Sequence, residues 1–132
     1  MLRAARELEH VVLIGSAGFY QVLDVEEGWA DTVVVEKAPF PHVQNDLVAL
    51  RRSRLKERGY DDFADYMIPA MLLKMAAVSR RVVPGGTLVV ADGRLPAMHY
   101  YPLVLEAVSP VRVHDSIDAY LRKKGALRDP SA

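Results

Sequence analysis

Three short stretches of this chain are apolar on consecutive residues: Val11-Val12-Leu13-Ile14, Val33-Val34-Val35 and Leu88-Val89-Val90-Ala91. Each is rich in β-branched side chains, and charges or turn formers bound it. None shows the alternation of a strand wetted on one face, so all three read as central strands of a sheet covered on both faces. Helical segments separate the second run from the third. That order predicts crossover connections and an α/β fold with a short, mostly parallel sheet. Val111-Arg112-Val113 is a candidate fourth strand. So few strands leave open edges, so the sheet is expected to be part of a larger one or to be completed by another chain. The exposed or paired edge is expected beside residues 11–14 or 33–35.

The helix signals are local. Asn45-Asp46 predicts a capped helix running to about Gly59, with Arg51, Arg52, Arg54, Lys56, Glu57 and Arg58 on its polar face. Asp61-Asp62 opens a longer helical stretch to about Val83, with Ile68, Leu72, Met75 and Ser79 on one face and Pro69 kinking or dividing it. Pro84-Gly85-Gly86 predicts a tight turn into the third strand. A last amphipathic helix is expected from about Asp115 to Lys124. Residues 1–125 therefore read as one domain and 126–132 as a frayed tail.

Length and composition narrow the class. A chain of 132 residues supports one hydrophobic core. Seventeen basic residues cancel seventeen acidic ones, so nucleic-acid or membrane binding has to come from a local patch. The absence of cysteine excludes disulfides, thiolate zinc sites and a cysteine nucleophile. With a charged N-terminus and no long apolar run, a cytoplasmic protein with no membrane partner is expected.

The residues that carry chemistry are sparse. No glycine is followed by the Lys-Ser/Thr pair of a P-loop, so nothing here grips phosphates in that way. Gly15-Ser16-Ala17-Gly18 follows a strand, but its spacing fits neither the dinucleotide fingerprint nor a nucleophile elbow. On its own it reads as a strand-to-loop turn made of small residues. His10, His42, His99 and His114 lack metal-ligand spacing, and no metal site is expected. Asp61, Asp62 and Asp65 read as a solvated helix start favoured by the macrodipole. Met67, Met71 and Met75 read as core packing. The arginines at 51, 52, 54 and 58 read as a solvated face. Arg80-Arg81, beside apolar residues and shortly before a glycine turn, are a weak candidate for phosphate contact.

The order of segments says more than any one of them. A strand leads to Gly15-Ser16-Ala17-Gly18-Phe19-Tyr20-Gln21-Val22-Leu23-Asp24, and the next runs into Glu36-Lys37-Ala38-Pro39-Phe40-Pro41. Asp46-Leu47-Val48-Ala49, the basic helix and Phe63-Ala64-Asp65-Tyr66-Met67-Ile68-Pro69 follow. The arginine pair, Asp92-Gly93-Arg94-Leu95 and Tyr100-Tyr101-Pro102-Leu103 complete the series. Over about residues 8–110 this order resembles the second motor domain of the DinG/XPD-type DNA helicases of superfamily 2.

The resemblance implies a three-layer RecA-like, P-loop NTPase-like fold, incomplete relative to the full helicase domain. In that family ATP sits between two RecA-like halves, and single-stranded DNA crosses both. The first half supplies the P-loop and magnesium site. The second supplies an arginine that stabilises the transferring phosphoryl group. Carried over, Gly15, Ser16, Gly18, Gln21 and Asp24 match the first motif and would face nucleotide or DNA, together with Arg80 and Arg81. Arg81 best matches the first arginine of the helix motif Gln-x-x-Gly-Arg-x-x-Arg.

The departures from that pattern set the functional expectation. Val22 replaces the glycine before the motif's aspartate, and Tyr20 replaces a tryptophan. Counting forward from Pro69, the helix motif's glutamine falls on Ala77, its glycine on Arg80 and its last arginine on Pro84. Placing the first arginine at Arg80 instead recovers neither the glutamine nor the second arginine. Losing a transition-state arginine costs on the order of a thousandfold in rate. The expectation is therefore a helicase-derived module that binds DNA or protein and does not hydrolyse ATP alone. ATP and magnesium would enter only with a P-loop partner domain. Expected partners are single-stranded DNA and either a P-loop half or another copy of the chain. The alternatives are one half of a split or excised ATP-dependent helicase, and an unrelated small α/β enzyme or binding protein.

Overall fold

The computed structural model describes residues 12–15, 28–109, 112–114 and 116–125. Two strands, β1 (Ala30–Val35) and β2 (Val82–Val90), pair in parallel, with Val33 beside Leu88 and Val35 beside Val90. The connection between them carries two helices. Two of the three apolar runs thus form neighbouring parallel strands joined by a crossover.

The full burial expected of these runs is not what the sheet shows. Val33 is buried, but Val34 is 59% exposed. Among the described residues the sheet has two strands, so β1 packs one face on the core and leaves the other open. Val12, Leu13 and Ile14 lie outside any strand, and Val12 and Ile14 are exposed. The described part of the candidate fourth strand, residues 112–113, is likewise not a strand. Val11 and Val111 lie outside the described residues, as does the tail at 126–132.

Helix α1 (Asp46–Glu57) begins and ends where its cap residues stand. The Asn45 side-chain oxygen accepts the amides of Leu47 and Val48 at 3.1 and 3.2 Å. At the other end Gly59 takes φ +79°. Its amide bonds the Lys56 carbonyl at 2.9 Å, and that of Tyr60 bonds the Leu55 carbonyl at 3.0 Å. This pair of bonds satisfies carbonyls that the helix would otherwise leave open.

The second helical stretch is divided as Pro69 predicts, but it ends at Ser79 and not near Val83, which lies in β2. A π-helical turn, Phe63–Met67, precedes helix α2 (Ile68–Ser79). Pro69 has no N–H to give to the carbonyl four residues back, and it sits in the first turn of α2, where that loss is tolerated. The wider turn absorbs the mismatch just upstream, with the Ile68 amide reaching the Phe63 carbonyl. Asp61 and Asp65 cap this start reciprocally. The Asp61 carboxylate accepts the amides of Phe63 and Ala64, and the Asp65 carboxylate accepts that of Asp61.

Pro84-Gly85-Gly86 does not precede the strand; it lies inside it. Between Ala30–Val82 and Thr32–Thr87 one residue of β1 faces four of β2, so the glycines form a bulge. Gly85 takes φ +80°. A Cβ on Gly86 would meet the Asp31 carbonyl oxygen at 2.6 Å and Val82 Cγ1 at 2.7 Å. The strand thus continues through a turn-forming tripeptide because Gly86 leaves room for Asp31 and Val82 and Gly85 reaches a positive φ.

A short helix, α3 (Tyr101–Ala107), was not signalled by the sequence, and it completes the core. Ile68, Met71, Met75, Leu95, Tyr100, Val104 and Val108 form one buried cluster, with Leu88 and Val90 of β2 packed against it. The methionines are core packing as expected: Met71 and Met75 are wholly buried and Met67 nearly so. Helix α4 (Ile117–Lys123) starts two residues later than expected, at the Ser116 cap. Its Tyr120 hydroxyl pairs with the Thr87 hydroxyl of β2 at 2.6 Å.

Candidate functional site

Ligands of open α/β sheets gather beyond the carboxyl ends of the parallel strands. Here those ends are Val35, leading into Glu36-Lys37-Ala38, and Val90, leading into Ala91-Asp92-Gly93-Arg94. The Ala91 amide donates to the Val35 carbonyl at 2.8 Å and extends the pairing past the last strand residue. The Asp92 side chain then joins the two loops. Its Oδ2 accepts the Ala38 amide at 3.3 Å and Arg94 Nη2 at 3.2 Å, and its Oδ1 accepts Arg94 Nε at 3.0 Å.

The Arg94 guanidinium, helped by the Ala38 amide, holds the Asp92 carboxyl at about 2. Asp92 is therefore ionised at any ordinary pH and its acceptor sites are filled. That suits a latch between strand ends, not a proton carrier. Behind the latch three aromatic rings meet. Phe40 stacks on Phe63 at 5.5 Å between centroids, and Tyr100 sets its edge against both at 5.8 and 6.0 Å. Burial raises the Tyr100 hydroxyl's pKa. These rings come from three separate segments of the motif series, so the fold brings that series together around one corner of the core.

The residues singled out from sequence are distributed differently. Gly15 is exposed in irregular chain. Ser16, Gly18, Gln21 and Asp24 lie outside the described residues. Arg80 and Arg81 stand at the opposite end of the sheet from Asp92, just before β2 begins. Their carbonyls fasten the start of β1: Arg80 accepts from Gly28 at 2.9 Å, and Arg81 accepts from Trp29 and Ala30 at 2.8 Å each. The backbone of the arginine pair thus has a structural task independent of what the guanidinium groups touch.

The acidic trio proves to be structural. Asp61 and Asp65 cap the π-helical turn. Asp62 is buried and paired with Arg52 and Lys56 of α1, and the Arg52 hydrogen bond lowers its pKa. The solvated start expected for this segment is therefore corrected at Asp62, which an ion pair on the neighbouring helix lets the fold bury. Among the described residues no group of histidine and carboxylate side chains is placed to hold a metal ion. No helix among them is long and apolar enough to cross a membrane.

Asp92 and Arg94 are not among the site residues to which the sequence points, although they stand in Asp-Gly-Arg-Leu after a strand. Charge of opposite sign two residues apart, directly after a parallel strand, was the available signal.

Comparison with known proteins agrees with the motif order. The helicase C-terminal domain family model matches residues 2–110. The chain is 25% identical over 103 residues to an ATP-dependent DNA helicase, YoaA, of Haemophilus influenzae. It is 24% identical over 105 residues to the YoaA helicase of Escherichia coli K12. These alignments cover 75% and 76% of this chain but 16% of each relative, so the chain spans a small part of the length of the helicases it matches. No solved structure matches it significantly. The match over most of the chain sets aside an unrelated α/β protein: this chain belongs to the helicase C-terminal domain family.

Proposed function

We propose that this chain is a helicase-derived binding module that engages single-stranded DNA or a protein partner and does not hydrolyse ATP by itself. In this reading the two parallel strands and their helices belong to a three-layer RecA-like domain of the DinG/XPD type. The observation that carries the proposal is the fate of the arginine helix. The position counted for its last arginine is Pro84, which lies in the β2 bulge and has no charge to offer a phosphoryl group. The chain also has no P-loop sequence. A motor needs both an anchored triphosphate and a cation at the transferring phosphate.

A second reading, half of a split or excised helicase, draws support from the carboxyl edge of the sheet. There the Asp92 latch holds both strand ends in place. ATP and magnesium would then be bound only with a P-loop partner chain.

The test is fluorescence anisotropy with a labelled single-stranded oligonucleotide across a salt series. The binding module is expected to bind at low salt and to release steeply as salt rises. Absence of binding at low salt would remove the DNA part of the proposal and leave a protein partner. Hydrolysis of ATP restored by adding a P-loop half would favour the split motor.

A further inference from the structure

Helix α1 makes its ion pairs to the body on one side. Arg52 and Lys56 reach Asp62 from that side, and α1 contributes no buried residue to the core. With 3.6 residues per turn, Leu47, Leu50, Arg51, Arg54, Leu55 and Arg58 fall on the other side as one stripe. Leu47 is 55% exposed and Leu50 53%. Leu50, Leu55 and the three arginines line a shallow groove whose far wall is Tyr66 of the π-helical turn. The Arg51 guanidinium lies 5.9 Å from the Tyr66 ring centroid.

Cations near a helix C-terminus stabilise it through the macrodipole, which accounts for Arg54 and Arg58 as charges. It does not account for two leucines left in water on the same stripe, because exposed leucines gain nothing from the dipole and lose apolar burial. The combination of an apolar floor with arginines at i, i+3 and i+7 has a chemical complement. That complement is a helix with aliphatic side chains on one face and carboxylates along its flank. The arginines span about 10 Å along the axis, two turns of such a helix.

A nucleic-acid strand fits the groove less well. Its lining has one aromatic ring, Tyr66, and Arg51 already lies over it. The floor is leucine, which offers no stacking surface to a base. We therefore propose that this face of α1 docks an acidic amphipathic helix of a protein partner. This rests on the protein-partner arm of the functional reading above, names the kind of partner, and does not depend on DNA binding by the rest of the chain.

The test uses a stapled, fluorescein-labelled helical peptide with leucines on one face and glutamates at i, i+3 and i+7. A copy with glutamine in place of glutamate, and labelled oligo-dT, are measured beside it. The purified chain is expected to bind the glutamate peptide in a salt-sensitive way. Arg54→Glu and Leu50→Ser should each weaken it by about tenfold or more. Leu73→Ser, at an exposed position of α2 outside the groove, should leave it unchanged. Circular dichroism should show every variant folded, since Arg54 and Leu50 are not in the core. Equal affinity for the glutamine peptide, or no binding of either at low salt, would overturn the proposal. So would oligo-dT binding that is lost with Arg54→Glu while peptide binding is not. Absence of oligo-dT binding by the unmodified chain, with the glutamate peptide bound, would count against the DNA reading and support this proposal.

Discussion

Asp92 Oδ2 accepts the backbone amide of Ala38 at 3.3 Å, across 54 positions of sequence, and so ties the loop after β2 to the loop after β1. Arg94 fixes the same carboxylate from within its own loop. Two loops at the carboxyl ends of the parallel strands are thus held by one ionised side chain.

The pH dependence follows from that carboxylate. Its pKa is depressed from 3.8 to about 2 in the fold, so its contribution is complete above the ordinary value and is lost as pH falls toward about 2. Asp62, lowered by Arg52, acts with the same sign. Asp92→Ala should cost about 1–2 kcal/mol at neutral pH, measured by urea unfolding. It should also flatten, without abolishing, the fall in melting temperature below about pH 4.

The β2 bulge predicts unequal effects at adjacent glycines. Gly86→Ala would press a methyl group into the Asp31 carbonyl and Val82, and should destabilise by about 1–3 kcal/mol. Gly85→Ala meets nothing within 4 Å and suffers only its positive φ, at about 1 kcal/mol. Denaturant midpoints of the two variants should therefore differ, with Gly86→Ala the lower.

The methionine stripe gives a contrast within one helix. Met71 is wholly buried, whereas Leu73 is 73% exposed. Met71→Ala should cost about 2–5 kcal/mol and Leu73→Ala under about 0.5, read from thermal or urea unfolding.

How much of this was legible in the sequence depends on how local each signal is. Asn45, Gly59, Pro69 and the methionine repeat each act within one or two turns of chain, and the structure places all of them as expected. Pro84-Gly85-Gly86 reads as a turn before the strand because a turn tripeptide and a bulge share their composition. Which one forms depends on the partner strand at Asp31. Helix α3 was missed because Tyr101-Pro102-Leu103 opens it without a side-chain cap, and its burial comes from α2. The burial of Asp62 was hidden because its partners stand ten and six residues upstream on another helix. The motif order was legible, and what it predicts structurally is the scaffold: Phe40, Phe63, Asp92 and Tyr100 converge. The segment from Ser16 to Asp24, expected from the resemblance to face nucleotide or DNA, lies outside the described residues.

The function proposed for this member of the helicase C-terminal domain family is that of a binding module with no ATPase of its own. Its most direct test is steady-state ATP hydrolysis by the purified chain, with magnesium, in the presence and absence of single-stranded DNA. A binding module gives no turnover above the protein-free rate in either condition. Hydrolysis that single-stranded DNA stimulates, in a preparation free of other ATPases, would contradict it.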